Sequence, residues 1–184
     1  TYAMASVGAD HSLQATFTAS APLVKETFAS LGKWTKVLGA WTLATGAVSS
    51  GASTDALLAY GAPPKTNLLR TGTLLIDAKL TGTATTANAA LLFSYLGPTK
   101  YRYIRLLPGR VQVGQVGSFP GSAQPPGTIK ATAANTAALN AWYQLRLDLG
   151  ALGEVSVSIR PRGSATWKKL AFSGGFKKFP SAIT

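Results

Sequence analysis

The sequence predicts an all-β protein, folded as a two-sheet antiparallel β-sandwich of the jelly-roll type. Apolar and polar residues alternate at many places along the chain, and 19 glycines and 10 prolines punctuate the alternating runs. Successive side chains of a strand point to opposite faces, so alternation is typical of strands that bury one face. A helix would space its apolar residues three and four apart instead. A chain of 184 residues is long enough to build one such domain with a substantial core.

The clearest alternation lies between residues 142 and 161. Leu145, Leu147 and Leu149 alternate with polar residues, and Val155 begins a second run of the same kind. Residues 150–153 separate the two runs and include two glycines. The pattern predicts a β-hairpin with one buried face and one solvated face.

The other elements follow from shorter runs that lie between turn residues. Strands are predicted at 34–38, 40–43, 56–60, 73–80, 90–96, 101–107 and 111–116, and again at 142–149, 155–159 and 166–172. The stretch 129–141 is compatible with a short helix, a loop or a strand, because its alanines favour a helix and its threonines and asparagines do not. Residues 117–127 contain three prolines and predict an exposed loop, a candidate rim of a binding site.

The first residues of the chain differ from the rest. Residues 12–19 alternate and predict a strand, which the Ser-Ala-Pro sequence at 20–22 then breaks. The stretch 2–17, with Asp10-His11, an alternating run and Thr16-Phe17, resembles the last strands of a bacterial extracellular repeat module. The resemblance implies an N-terminal extension or module remnant at 1–22 and a sandwich domain at 23–184. The alternative is that residues 12–19 form the first strand of the sandwich itself.

The charge of the chain is strongly positive. Eighteen Lys and Arg residues against six Asp and Glu residues give a formal charge of +12, and the last thirty residues contain six basic residues and no acidic one. This imbalance favours polyanionic partners such as acidic polysaccharide, teichoic or phospholipid surfaces, or nucleic acid. Solubility alone is the other explanation. A specific nucleic-acid partner is not expected, because the chain has no RNP-like or helix-turn-helix pattern and too many strands for an OB-fold.

Several motifs, from Phe28 and Trp34 to the hairpin that begins at Trp142, occur in an order that resembles the concanavalin A-like lectin/glucanase sandwiches of the laminin G-like type. Phe28, Trp34 and a Gly-x-Trp at 39–41 come first. An Asp-bearing strand at 74–80, a strand at 91–95, the tyrosine pair at 100–105 and the Trp-Tyr hairpin at 142 follow. The resemblance covers about residues 23–176. It implies two antiparallel sheets, a concave surface that faces carbohydrate, and core positions for Trp34, Trp41 and Trp142.

The supply of reactive residues argues against an enzyme. Glycoside hydrolases of the usual kind need two carboxylates beside the scissile bond, and no two acids here lie two apart on a strand. Cysteine is absent and His11 is the only histidine. Laminin G-like domains can hold calcium, but only Asp10 or Asp55 could contribute, so we expect no metal and no cofactor. A degenerate hydrolase or lyase that uses Asp148 or Glu154 is the third hypothesis for function.

The predicted ligand-binding residues are aromatic and basic. On the strand 101–107, alternation places Tyr101, Tyr103 and Arg105 on one face, which suits stacking on sugar rings and contact with an anionic glycan. Ile104 and Leu106 share the other face with Arg102. The alternative is that the tyrosines pack in the core and only the arginines are wet.

The basic tail supplies the rest of the predicted site. Trp167 precedes a pair of lysines and is the best candidate for an exposed stacking residue. The residues predicted to supply positive charge are Arg160, Arg162, Lys168 and Lys169.

Together these features predict a non-catalytic carbohydrate-binding module of a secreted or cell-surface bacterial protein. Its expected partner is a polysaccharide or another anionic cell-surface polymer. The alternative is a structural or adhesive spacer module without a ligand of its own. No apolar run approaches the roughly 20 residues that a transmembrane helix needs, and we expect a monomeric module of a larger chain.

Overall fold

The computed structural model confirms the all-β sandwich. It describes residues 3–6, 14–18, 24–25, 30–32, 34–38, 41–44, 47–50, 56–60, 71–83, 87–97, 99–117 and 128–180. Within these ranges the only helical element is a single 3-10 turn, Ser173–Gly175, and all strand pairs are antiparallel.

The described strands are numbered in chain order. They are β1 Ala3–Ser6, β2 Gln14–Thr18, β3 Val24–Lys25, β4 Trp34–Leu38, β5 Trp41–Ala44, β6 Ala47–Ser50, β7 Ala56–Tyr60, β8 Gly72–Lys79, β9 Ala89–Gly97, β10 Lys100–Leu107, β11 Arg110–Val116, β12 Thr128–Ala134, β13 Trp142–Leu149, β14 Val155–Pro161 and β15 Lys168–Lys169. Seven form a larger sheet in the order β12-β11-β10-β9-β1-β7-β4. Six form a smaller sheet in the order β15-β14-β13-β8-β2-β3, and β5 pairs with β6.

The predicted hairpin is the β13–β14 pair. Leu145 lies opposite Ile159 and Leu147 lies opposite Val157, so the apolar residues of both strands point to the same face. Gly153 closes the turn with a φ of 89°, a left-handed conformation that suits glycine. Burial of this face against the larger sheet stabilises the hairpin by roughly 1.5–3 kcal/mol for each large aliphatic side chain.

The core lies between the two sheets. Alternate residues of β8, β13 and β14 in the smaller sheet meet alternate residues of β9, β10, β11 and β12 in the larger one. Completely or almost completely buried members include Leu74, Ile76, Leu91, Phe93, Ile104, Leu106 and Leu147. Each strand therefore has a second face, directed away from the core, and those two outer faces hold the predicted site residues.

The structure decides one open alternative of the predicted layout and differs from the layout in two other places. Residues 128–134 form β12, because their backbone pairs with β11 and Ala131 and Ala133 alternate into the core. The predicted strand 166–172 is shortened to Lys168–Lys169, since the chain then turns away toward the 3-10 turn. Strands β1, β3 and β6 were not expected. Of the predicted loop 117–127, only Gly117 is described, and residues 118–127 lie outside the described ranges.

The N-terminal strands pair with both sheets. β1 pairs with β7 and β9, and β2, which lies within the predicted run 12–19, pairs with β8 and β3. These pairings agree with the alternative in which residues 12–19 are a strand of the sandwich. The boundary at residue 22 itself stays a prediction.

Candidate functional site

The predicted ligand-binding residues lie on two different sheets. Tyr101, Tyr103 and Arg105 belong to β10 of the larger sheet, whereas Arg160 belongs to β14 of the smaller sheet. Their side chains alternate with core residues on each strand, so they point outward from opposite sides of the sandwich. The predicted residues therefore do not form one surface, and each side has to be considered by itself.

On the smaller sheet, strand register brings three polar side chains into one row. Gln144 of β13 lies opposite Asp77 of β8 on one side and opposite Arg160 of β14 on the other. The Arg160 Nε donates to Gln144 Oε1 at 2.7 Å, and Gln144 Nε2 donates to Asp77 Oδ1 at 2.7 Å. Because each planar group is held by its neighbour, the row is ordered before any ligand arrives.

Arg162 extends this row at its other end. Its Nε lies 3.2 Å from Asp77 Oδ2, and half of the Arg162 side chain, 50%, is exposed. Asp77 itself is only 5% exposed, so its charge is balanced by Arg162 and by the amide of Gln144. Because half of the Arg162 side chain remains exposed, its guanidinium can also contact a carboxylate or sugar hydroxyls.

Two tryptophans flank the row. The Arg160 guanidinium lies 4.2 Å from the centroid of the Trp167 ring, and that of Arg162 lies 5.2 Å from the centroid of the Trp142 ring. Both indoles are half-buried. We call the surface made by Asp77, Trp142, Gln144, Arg160, Arg162 and Trp167 the tryptophan–arginine face.

The placement of Trp142 corrects one expectation. We expected it in the core, but Tyr143 and Leu145 occupy the inward positions of β13 and Trp142 therefore points outward. The alternation that predicted the strand already indicated this orientation, because it places Trp142 on the face opposite to Tyr143 and Leu145. The side chains of Trp34 and Trp41 lie outside the described part of the molecule.

The two predicted lysines lie beside this face. Lys168 is opposite Ile159 and Lys169 is opposite Ser158 on the edge strand β15, and both side chains are exposed. They add positive charge at the edge of the smaller sheet.

On the larger sheet, the predicted tyrosines pack together on the outer face. Tyr101 stacks on Tyr95 with ring centroids 6.2 Å apart and meets Tyr103 edge-on at 6.5 Å. Tyr103 is buried, and this burial raises its pKa, an effect that the charge of Arg105 partly opposes. We call Ala90, Leu92, Tyr95, Tyr101, Tyr103 and Val116 the tyrosine cluster. It is separate from the core between the sheets.

The two arginines of β10 do not fit the alternative prediction, in which the tyrosines of this strand pack in the core and only its arginines are exposed to water. Arg105 is half-buried and its Nη2 and Nε donate to Gln112 Oε1 at 2.6 and 3.2 Å. Arg102, which that reading expected to be wet, is completely buried between the sheets with its guanidinium 4.6 Å from the Phe179 ring centroid. The alternation that grouped Arg102 with Ile104 and Leu106 was right, and that face is the core.

The described acidic residues are engaged by their surroundings. Asp148 accepts from Arg146 Nε at 3.0 Å and from Thr73 Oγ1 at 2.5 Å. Glu154 Oε2 accepts from the Leu152 backbone N–H at 2.9 Å. In the described ranges no three His, Cys, Asp or Glu side chains come together as a metal site would require.

No helix among the described residues is long and apolar enough to cross a membrane.

Comparison with known proteins returned no matching family model, no matching characterised protein and no matching solved structure. The resemblance to laminin G-like sandwiches therefore stays a prediction from sequence motifs, and function has to be argued from the surfaces themselves.

Proposed function

We propose that this protein is a non-catalytic module that binds an acidic polysaccharide through the tryptophan–arginine face. One observation carries the proposal: a hydrogen-bonded row of Arg160, Gln144, Asp77 and Arg162 that lies between two half-buried tryptophans. The row supplies planar polar groups and the tryptophans supply flat apolar ones. A sugar ring presents both kinds of surface, hydroxyls at its edge and C–H groups on its face.

The charge of the face favours an acidic ligand. Arg160 and Arg162 flank a single buried carboxylate, so the row carries a net positive charge. A guanidinium binds a carboxylate or sulfate with two parallel N–H···O bonds, which is stronger and more directional than contact with a lysine. Lys168 and Lys169 at the sheet edge attract the polymer over a longer range, within a Debye length of about 8 Å at physiological salt.

The wider setting is part of the same proposal. A module that binds an anionic polymer and performs no chemistry fits a secreted or cell-surface protein of a bacterium, with the sandwich as one unit of a larger chain. A spacer module without a ligand is the second candidate, and a degenerate hydrolase or lyase is the third. The engagement of Asp148 by Arg146 and Thr73 disfavours the third, since a catalytic acid or nucleophile needs a free carboxyl oxygen near the substrate.

The experiment is a titration of the protein with polygalacturonate and, in parallel, with the neutral polymer dextran. We expect saturable binding to polygalacturonate that weakens with added salt, and much weaker binding to dextran. Arg162→Gln should weaken polygalacturonate binding by about tenfold or more, because a hydrogen bond to a charged group contributes about 1.5–3 kcal/mol. Trp167→Ala should also weaken it, through the loss of a stacking surface.

Arg110→Gln is the matched control, because it removes the same charge from an exposed position on the larger sheet. An equal loss of affinity in Arg110→Gln and Arg162→Gln would show that only net charge matters. Absence of binding to acidic polymers of any backbone would support the spacer module instead.

A further inference from the structure

A second surface, separate from the tryptophan–arginine face, lies along the edge of β14 that faces away from β13. The C-terminal segment follows this edge in two places: the Leu170 N–H donates to Val157 O at 2.9 Å, and the Val155 N–H donates to Lys177 O at 2.8 Å. Between these points residues 171–176 leave the edge and form the 3-10 turn. An open groove of about 800 Å³ lies between this excursion and the β13–β14 turn.

The floor and walls of the groove are apolar. Leu149 and Val155 come from the hairpin, and Leu170, Phe172 and Phe176 come from the C-terminal segment. The rings of Phe172 and Phe176 meet edge-to-face with centroids 6.2 Å apart. We call this surface the phenylalanine groove. Its volume lies in the range of roughly 300–1,000 Å³ that is typical of sites for small molecules.

The excursion that forms one wall is anchored at several points. The Ser173 Oγ accepts from the Thr132 N–H of β12 at 3.0 Å, which ties the turn to the edge of the larger sheet. Phe176 contacts Phe179 at 5.2 Å between ring centroids, and Phe179 contacts Phe93 in the core at 5.9 Å. These contacts hold the wall in place, so the groove is preformed. Little conformational entropy of the protein should therefore be lost when a ligand binds.

The charged residues at the groove are not equivalent. Asp148 is held by Arg146, and Glu154 accepts from a backbone N–H, so both carboxylates already have donors. Lys169 and Lys177 also line the groove, are exposed, and have no carboxylate within ion-pair distance among the described residues. The rim therefore offers two ammonium groups beside an aromatic floor.

We propose that the phenylalanine groove binds a small aromatic acid, a flat ring system that carries a carboxylate or sulfonate. The ring would lie against Phe172 and Phe176, where offset or edge-to-face contacts between aromatic groups are favourable. The acidic group would bind Lys169 and Lys177. The site is distinct from the polysaccharide face, because Ser156 at the groove and Arg160 on the face are four strand residues apart, about 13 Å.

The experiment uses anilinonaphthalene sulfonate, whose fluorescence rises in an apolar site, as the probe. Two double variants are compared: Lys169→Gln with Lys177→Gln, and Lys168→Gln with Lys178→Gln. Both remove two positive charges from adjacent positions, but only the first pair lines the groove. We expect the groove pair to bind the probe at least about tenfold more weakly than the native protein and the control pair to change affinity less than about twofold.

The uncharged analogue phenylnaphthylamine tests the aromatic part separately. It should bind the native protein and both double variants equally, and Phe176→Ala should weaken its binding whereas Phe176→Leu should weaken it less. Thermal unfolding of each variant verifies that the fold is retained, since a partly unfolded protein also binds the sulfonate probe.

The proposal would be overturned by an equal loss of probe affinity in both double variants, which would mean adsorption to positive charge, or by unchanged affinity in the groove pair. Failure of the polysaccharide proposal is distinguishable, because Arg162→Gln should leave binding of the fluorescent probe unchanged. If Arg162→Gln weakens probe binding as much as the groove pair does, the two surfaces are one site and the groove proposal is wrong.

Discussion

Replacement of Arg102 by methionine is predicted to stabilise the protein. Arg102 is 0% exposed and points into the core beside Ile104. An apolar side chain, such as those of its neighbours on this face of β10, would suit this position better than a charged one. Burial lowers its pKa to about 10, because removal of water disfavours the charged guanidinium. Methionine is shorter than arginine by two atoms, but it has no charge and a flexible chain that fills irregular space.

The expected gain can be bounded from this environment. A pKa lowered to about 10 corresponds to a cost of roughly 3 kcal/mol for keeping the charge buried at neutral pH. The guanidinium recovers part of this through its position 4.6 Å from the Phe179 ring, an interaction of about 2 kcal/mol when desolvated. The difference between these two terms sets an upper bound of about 1 kcal/mol on the rise in the free energy of unfolding that we expect from Arg102→Met, because any further interaction of the guanidinium reduces the gain.

Urea unfolding at pH 7 measures this change, with Arg105→Met as the control. Arg105 is on the same strand but on the outer face, half-buried and bonded to Gln112, so its loss should be neutral or destabilising. The advantage of Arg102→Met should shrink as pH rises from about 10 toward 12.5, because the native state releases the Arg102 proton before the unfolded state does. A folded Arg102→Met variant that is less stable than the native protein by more than about 1 kcal/mol would refute the reasoning, since the arginine would then form interactions that outweigh its desolvation.

Three further predictions concern the backbone, the core and the tyrosine cluster. Gly117→Ala should destabilise the protein by at least about 2 kcal/mol, because φ of Gly117 is +77° and a Cβ would lie 2.5 Å from Thr99 O. Gly163→Ala should destabilise it by only about 1 kcal/mol, because Gly163 has a positive φ but open space around it. Equal urea midpoints for the two variants would contradict the steric argument. Leu147→Ala should lower the free energy of unfolding by about 2–5 kcal/mol, because Leu147 is 0% exposed at the centre of the hairpin; a loss below 1 kcal/mol in the same assay would mean that the site is not packed as described. Burial raises the pKa of Tyr95 above 10.0, so the native state keeps a proton that the unfolded state loses, and the free energy of unfolding should fall as pH rises past about 10. Tyr95→Phe should make this fall smaller. An unchanged pH dependence of unfolding in Tyr95→Phe would contradict the raised pKa of Tyr95.

Local patterns were enough to predict most of the strands described here. β4, β7 and β13 have the predicted bounds, and β8 to β11 differ from them by one residue at either end. Alternation works where one face is buried, because a one-residue slip would turn every apolar side chain outward. It left a helix, a loop and a strand open for residues 129–141, and only pairing with β11 decides for a strand at β12. Alternation also did not predict that residues 171–176 leave the edge of β14. The hydrogen bond that holds this segment joins Ser173 to Thr132, which are far apart in sequence.

The sequence by itself determined the class of the fold, the positive charge and which residues of a strand share a face, because all three depend on residue type and a period of two. It also predicted Arg160, Arg162 and Trp167 as binding residues, and these three lie on the tryptophan–arginine face. Only the tertiary structure decided which residues contact each other. Strand register places Asp77 and Gln144 in one row with Arg160, and Arg162 extends that row. The tyrosines of β10 lie on the opposite side of the sandwich. The phenylalanine groove has the same origin, because it depends on pairing between a C-terminal segment and a strand edge, which no local pattern encodes.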